Sequence, residues 1–435
     1  MGVGPGYQQT ELGVLPDEWD IAPLGHGVAE LTAGVSVNSV NDEHRLAGDQ
    51  PAVLKTSSIA GGQFLPEESK LIAPRDIRRV RLSPRADTVI ISRMNTPDRV
   101  GECGYVPVDY PNLFLPDRLW MTSAPQGSDM CAQWLSYLLS SREYKTRIKG
   151  LATGTSGTMK NIAKGALLAM LVAYPPPAEQ RAIAAALCDV DSLLDGLNRL
   201  IAKKRDLKHA AMQQLLTGQT RLPGFQGAWE LKTLGDLGST YGGLAGKTKA
   251  DFGNGAGRYI TFMNVMTNVV VDRGSFERVN VAPTESQNRV MGGDLLFNTS
   301  SETPEEVAMC AVLLGDVPDL FLNSFCFGFR FNDGADADRL FLVYYLRSGE
   351  GRELMKSLAQ GSTRYNISKL ALLTAQLRLP SPREQVAIAE VLSDMDAELA
   401  ALEARRYKTR DLKQAIMQEL LSGKTRLIPV GGTSA

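Results

Sequence analysis

One feature constrains this chain more than any other: it contains the same long segment twice. Residues 177–222 and 382–427 align without a gap at an offset of 205, and 25 of the 46 positions are identical. Chance does not produce agreement of that length, so both segments must fold into the same element. Each reads as a helix. In the first copy Ile183, Leu187, Val190, Leu194, Leu197 and Ile201 are spaced 4, 3, 4, 3, 4. In the second, Ile388, Leu392, Met395, Leu399 and Leu402 keep the same rhythm. That spacing is the narrow apolar seam of a coiled coil.

Lys204 and Arg406 interrupt the seam. A second apolar stretch then follows, through Leu207, Ala211 and Leu215 in one copy and Leu412, Ile416 and Leu420 in the other. Gly218 and Gly423 stand where a helix stop belongs. Acids come early (Asp189, Asp191; Asp394, Asp396) and bases late (Lys203, Arg205; Arg405, Lys408), an order that suits the helix dipole. About 40 residues at ~1.5 Å each make a rod of roughly 60 Å.

The segments before each helix are related more weakly. Trp19, Leu24 and Gly25 resemble Trp229, Leu234 and Gly235. Asp87 before 89–91 resembles Asp294 before 295–297, and the 112–115 run resembles 319–322. The expected architecture is a mixed α/β chain in alternating order. Residues 1–176 form one globule and 177–221 a central helix. Residues 222–381 form a second globule, 382–427 a C-terminal helix, and 428–435 a tail. Short β-rich runs are expected at 88–92, 258–262 and 269–271, with a helix late in each globule at 130–149 and 338–358. Because the second globule joins the end of one helix to the start of the other, paired helices must run antiparallel. The expected result is an internal pseudo-twofold repeat with the globules at opposite ends of the rod.

Composition narrows the function classes. The chain is 43% hydrophobic and 22% charged, which excludes a disordered or collagen-like protein. Its longest apolar run, 166–174, is about half of a bilayer span. No secretory pattern is visible at 1–9, and the five cysteines are odd in number, widely spaced and without CxxC. These readings point to a reduced, cytoplasmic chain with no membrane partner and no zinc site. Three histidines (His26, His44, His209) offer little for metal or triad chemistry. The net charge of −1 does not mark the whole chain as a nucleic-acid binder, so any such role must sit in local patches.

Several motifs together resemble the specificity (S) subunits of type I restriction-modification systems. They are the Pro–x–Glu–Gln helix starts at Pro177, Glu179, Gln180 and Pro382, Glu384, Gln385, and the Thr-Gly-Gln-Thr-Arg-Leu-Pro-Gly-Phe run at 217–225. With them go its partner at 422–427, the motifs around Trp19 and Trp229, and the run 361–369. The resemblance covers nearly the whole chain, except the first ten residues and the tail. It implies two target recognition domains, each reading half of a split site in double-stranded DNA. It implies helices that act as a spacer and dock two methylation subunits, with restriction/translocase subunits joining that core. S-adenosylmethionine, ATP and magnesium would sit on those partners. The chain itself would be non-catalytic and hold no cofactor and no metal.

On that footing three groups of residues are candidate DNA contacts. Arg75, Arg78, Arg79 and Arg81, with Arg85 nearby, crowd one short stretch. Arginine clamps phosphates and reads guanine edges bidentately. Arg93 and Asn95 follow one strand as Asn298, Thr299 and Ser300 follow the corresponding one. Amides and hydroxyls on loops can read base edges, or can simply serve turns. Lys160 and Asn161 occupy the segment matched by Arg364, Tyr365 and Asn366. Here the copies depart from each other: Gly157-Thr158-Met159-Lys160-Asn161 faces Ser362-Thr363-Arg364-Tyr365-Asn366.

The loop 242–248 looks like a phosphate loop, but Tyr241 stands where the Walker pattern needs glycine. Lys247 and Lys249 facing a phosphate backbone is the better reading of it. Tyr174 followed by Pro175–Pro177 lacks the polar residue of an adenine methyltransferase motif and suits the start of a helix.

Neither globule is basic: 1–176 carries 17 basic and 18 acidic residues, and 223–381 carries 15 and 17. That is consistent with DNA binding mainly inside a complex. The competing class is a coiled-coil scaffold whose globules bind protein. Sequence-selective retardation of DNA by the chain with its methylation partners separates the two.

If the helices act as a spacer, lengthening both should change the number of unread bases between half-sites. Seven residues added after Leu197 and seven after Leu402 keep the heptad register and extend the rod by roughly 10 Å. The expected shift is about three base pairs at ~3.4 Å each, with both half-site sequences unchanged in a methylome. An active variant with an unchanged spacer would leave the helices as docking elements only.

Overall fold

The protein is described here by a computed structural model covering residues 4–40, 50–154 and 158–427; His44, Gly157 and the tail 428–435 lie outside these. Two compact units emerge, and their boundaries cut through the helices. The first takes the residues up to Leu197 together with those from Arg405 on; the second is Asn198–Ala404. Each unit therefore owns one globular domain and a segment of both long helices.

Both repeated segments are helical, over Pro177–Leu215 and Pro382–Leu421. Gly218 and Gly423 end them with φ of +72° and +69°, a left-handed conformation that costs glycine little. A Cβ on Gly218 would stand 3.1 Å from the Trp229 ring, and one on Gly423 would stand 2.5 Å from Pro16 Cδ. The glycines are thus required twice over, by backbone angle and by close packing. Within each unit the helix segments run antiparallel. In the second unit Lys204 pairs with Glu398 and Lys208 with Asp396, so the partner number falls as the first helix advances. In the first unit Lys413 pairs with Asp191 at 2.5 Å.

The seam is filled unevenly. Ile183, Leu187, Leu197, Ile201, Ile388, Leu392 and Leu399 are buried, while Val190, Leu194, Met395 and Leu402 are half-buried. The continuation through Leu207 and Leu412 is not: these side chains are 47% and 55% exposed. Their neighbours Lys208 and Lys413 turn inward instead, onto Asp396 and Asp191, and lie 5.5 and 5.4 Å from the centroids of the Tyr344 and Tyr137 rings. The tyrosine hydroxyls donate to the same carboxylates, at 2.7 Å to Asp396 and 2.8 Å to Asp191. A polar trio thus replaces apolar packing at equivalent positions of the two units.

A second equivalent pair fixes where the helices begin. Arg426 grips buried Glu179 through Nε at 2.6 Å and Nη2 at 2.8 Å, and the Trp19 indole N–H donates to the same carboxylate at 3.0 Å. In the second unit Arg221 grips buried Glu384 at 2.5 and 2.6 Å, with its guanidinium 5.8 Å from the Trp229 ring. The carboxylates raise the affinity of both guanidinium groups for their protons. Gln180 and Gln385 complete the match. Each donates to a proline carbonyl just before the helix and accepts a backbone N–H, from Cys131 and Asp338 respectively.

Each globular domain carries the same four-stranded antiparallel sheet. In the first unit its order is Cys103–Val106, Thr88–Ser92, Leu119–Ser123, Glu30–Ala33. In the second it is Cys310–Val312, Leu295–Asn298, Cys326–Phe331, Gly238–Gly242. A further sheet in each contains one parallel pairing, Leu113–Phe114 with Ala52–Leu54 and Leu320–Leu322 with Phe252–Ile260. The apolar core of each domain runs on into the helix segments of its own unit. Ile183, Leu187, Met417 and Leu420 join the first core, and Leu215, Ile388 and Leu392 join the second.

Three local expectations change. The strand expected at 258–262 ends at Ile260, because Thr261 caps a short helix with its side chain. Residues 269–271 form only an isolated bridge, Val270 to Val312. The late helix of each domain is two helices, Ala132–Ser140 with Arg142–Gly150, and Arg339–Arg347 with Gly349–Leu358. Extended Ser141 and Ser348 break them, and each serine hydroxyl then caps the following helix.

These burial differences are measurable. Leu187→Ala and Leu392→Ala should each cost about 2–5 kcal/mol in denaturant unfolding, since both remove fully buried side chains. Leu207→Ala and Leu412→Ala should stay within about 0.5 kcal/mol. Equal costs at all four positions would contradict the exposed placement of Leu207 and Leu412.

Candidate nucleic-acid interface

The two strand-following segments and the two pre-helix segments, far apart in sequence, meet in the fold. In the first unit Met94–Asn95 pairs antiparallel with Lys160–Ile162, in register Met94 to Asn161 and Asn95 to Lys160. In the second, Ser300–Ser301 pairs with Tyr365–Asn366, in register Ser300 to Asn366 and Ser301 to Tyr365. One ladder thus gathers Arg93, Asn95, Lys160 and Asn161, and its counterpart gathers Asn298, Thr299, Ser300, Arg364, Tyr365 and Asn366. The arrangement is the same in both units.

Within each ladder the side chains differ in availability. Arg93 is half-buried, stacked 5.3 Å over the Trp120 ring, with Nε 3.5 Å from Asn161 Oδ1. Lys160 is half-buried and donates to the Gly154 carbonyl at 3.0 Å. Arg364 and Asn366 are exposed, and Tyr365 is half-buried. Asn95, Asn298 and Ser300 are not free reading groups. Asn95 is buried, donating to Ser92 Oγ and accepting the Thr96 N–H. Asn298 is fully buried and donates to the carbonyls of Ser300 and Glu306 at 3.1 and 3.0 Å. Ser300 is buried as well. Amides at these positions hold the ladder's shape, which is turn chemistry rather than base reading.

A third segment, which the sequence reading passed over, locks each ladder. The N–H of Arg93 donates to the Arg118 carbonyl at 3.1 Å, and the Arg93 carbonyl accepts from Ile162 at 2.9 Å. In the second unit the N–H of Thr299 donates to the Phe325 carbonyl at 2.9 Å, and its carbonyl accepts from Ile367 at 3.0 Å. The signal that could have found this turn was the 112–115 and 319–322 resemblance, which ends just before it.

The arginine cluster lies in the first unit. Arg75, Arg78 and Arg79 sit on the 3₁₀ turn Pro74–Arg79, and Arg81 and Arg85 follow; all five are exposed. Buried Asp76 anchors the turn. Its carboxylate accepts the backbone and side-chain N–H groups of Asn38 at 2.8 Å and pairs with Arg79 at 3.1 Å. Those hydrogen bonds, the Asn38 backbone first, hold its pKa down at about 2. Arg79 is partly neutralised there, whereas Arg75, Arg78, Arg81 and Arg85 make no ion pair among the described residues.

The loop of Lys247 and Lys249 does not present two free cations. The Lys247 ammonium donates to the Asn280 carbonyl at 2.6 Å and pairs with Glu285 at 2.5 Å, with its side chain 4% exposed. Gln287 closes the same loop by exchanging two hydrogen bonds with the Ala245 backbone. Only the three-residue turn Lys249–Asp251 follows the loop, so no long helix offers its N-terminus to a phosphate. Lys249 alone is exposed. Among the described residues no group of three or more His, Cys, Asp or Glu could hold a metal, and no helix is long and apolar enough to cross a membrane.

Comparison with known proteins bears on both units. Residues 226–409 match the family model described as the type I restriction modification DNA specificity domain. A Methanocaldococcus jannaschii chain provisionally assigned as the specificity subunit of type I restriction enzyme MjaX is 22% identical over 437 residues, covering 97% of both chains. The MjaVIII specificity subunit of the same organism is 24% identical over 313 residues, covering 68% of this chain and 70% of its own. The crystal structure of the type I restriction-modification S subunit from M. genitalium has a similar fold. Its TM-score is 0.56 at 16% identity, covering 97% of this chain and 98% of that one.

The anchoring of the arginine turn predicts a pH signature. A carboxylate held below its ordinary pKa stabilises the folded turn fully above that ordinary value, near 4, and loses the contribution as pH falls toward 2. Asp76→Asn should therefore speed amide exchange at Asn38 at neutral pH. The gap between variant and wild type should close between about pH 4 and 2. Equal exchange at neutral pH would mean that Asp76 does not hold the turn.

Proposed function

We propose that this chain belongs to the type I restriction-modification specificity family, whose domain model and specificity subunits it resembles, and binds a bipartite DNA target, reading one half with each globular domain. The observation that carries this reading is the duplicated ladder. The same three segments meet in the same register in both units, and each unit also holds a helix start by a buried Glu–Arg pair. Two equivalent reading surfaces call for two half-sites, because base contacts are local. The first domain adds the exposed arginines 75, 78, 81 and 85 as phosphate contacts, and the second adds Arg364 and Lys249. Different side chains on one scaffold give each domain its own half-site.

The long helices dock two methylation subunits, and restriction/translocase subunits join that core. S-adenosylmethionine, ATP and magnesium belong to those partners. This chain supplies recognition rather than chemistry, and it acts in the cytoplasm, where the duplex is.

Exchange of domains tests the reading. Replacing residues 1–176 with the corresponding domain of a relative, in cells carrying the methylation partners, should change one half of the methylated sequence and leave the other intact. Simultaneous change of both halves would overturn independent reading. Methylation with no sequence preference would favour a scaffold whose globules bind protein.

A further inference from the structure

The turns that lock the two ladders are themselves equivalent, and they end in unlike side chains. Residues 116–119 and 323–326 each close a tight turn, with Leu119 N–H donating to the Pro116 carbonyl at 3.3 Å and Cys326 N–H to the Asn323 carbonyl at 3.0 Å. The third residue of each turn is the one whose carbonyl receives the ladder N–H, Arg118 in one unit and Phe325 in the other. The second turn is braced further, because Asn323 Oδ1 accepts the Phe325 N–H at 2.9 Å. The backbone at both tips is therefore fixed before any ligand arrives.

The side chains there are not used by the fold. Phe325 is 61% exposed, although Leu322, Cys326 and Phe327 around it are buried. Arg118 is exposed and has no carboxylate within 4.0 Å among the described residues. A large aromatic ring left in water on a braced turn, at the position equivalent to an unpaired arginine on its counterpart, is available for contact rather than committed to the core.

From this, and resting on the two-half-site reading, we propose that Arg118 and Phe325 are specificity-determining residues, each touching DNA in its own domain's half-site. Phe325 makes an apolar contact with a base, such as the thymine methyl group in the major groove. Arg118 makes a charged contact at the equivalent place, with a guanine edge or a phosphate. The two domains thus read one position of their half-sites by opposite chemistry.

The test uses the chain assembled with its methylation subunits. Phe325→Ala should weaken methylation of the cognate sequence roughly 5- to 100-fold, the usual range for losing one base-pair contact. It should also relax the preference at one base pair of the second domain's half-site and leave the first half unchanged. Arg118→Ala should do the same in the first half. The exchanges Phe325→Arg and Arg118→Phe should shift the preferred base pair at those positions, a gain that lost folding cannot imitate. Melting temperatures of all four variants should match wild type, because both side chains are exposed. A wild-type complex with sharp specificity whose preference is untouched by all four substitutions would overturn the assignment and leave the two-half-site reading standing. A wild-type complex with no sequence preference would overturn that reading and the assignment with it.

Discussion

A buried carboxylate is costly unless something of opposite charge is buried with it. That constraint acts twice here. Glu179 and Glu384 sit at the starts of the two long helices, nearly without solvent contact, and each is met by an arginine from beyond the end of the other helix. Arg426 serves the first and Arg221 the second. Neither helix start is completed by its own copy of the repeat, so the repeat must be present twice for either unit to be whole. The tyrosine–aspartate–lysine trios apply the same rule further along. Charge on Asp191 and Asp396 is met by Lys413 and Lys208, again each from the other helix. Polar groups that need partners give the antiparallel pairing a defined register, which apolar packing alone specifies less sharply.

That pairing explains why the globular domains share one plan. Each is framed by the same helix start, the same glutamine bracket at the proline carbonyl and the same four-stranded sheet. The ladder at 93–95 and 160–162 and the ladder at 299–301 and 365–367 are built from equivalent segments of their domains. The two domains then differ in what the shared frame leaves exposed. Arginines crowd the turn after Pro74 in one domain. Arg364 and a bare phenylalanine stand out in the other. Fold and exposed surface are thus separable on one scaffold.

How much of this was legible beforehand depended on the kind of signal. The helices were readable because a repeat of 46 positions at one offset outweighs any local ambiguity, and Gly218 and Gly423 marked their ends. The strand 88–92 was readable as a short β-branched run. The inward turn of Lys208 and Lys413 was not, because a heptad count favours Leu207 and Leu412 and cannot anticipate a tyrosine hydroxyl from another element. Likewise Asn95, Asn298 and Lys247 have the chemistry of DNA contacts, and only three-dimensional placement shows them bonded inside the protein. Phe325 carried no signal of its own. An apolar residue between two buried stretches reads as core, and the turn that lifts it into solvent depends on hydrogen bonds to distant strands.

The central claim is that both units present equivalent surfaces to one duplex. Amide hydrogen exchange of the assembled complex, with and without its cognate duplex, tests it most directly. The account predicts slowed exchange on DNA binding at 93–96, 116–119 and 160–162 and equally at 299–301, 323–326 and 364–367, with exchange around Leu207 and Leu412 unchanged. Protection confined to one unit, or absent from both sets of segments, would contradict it.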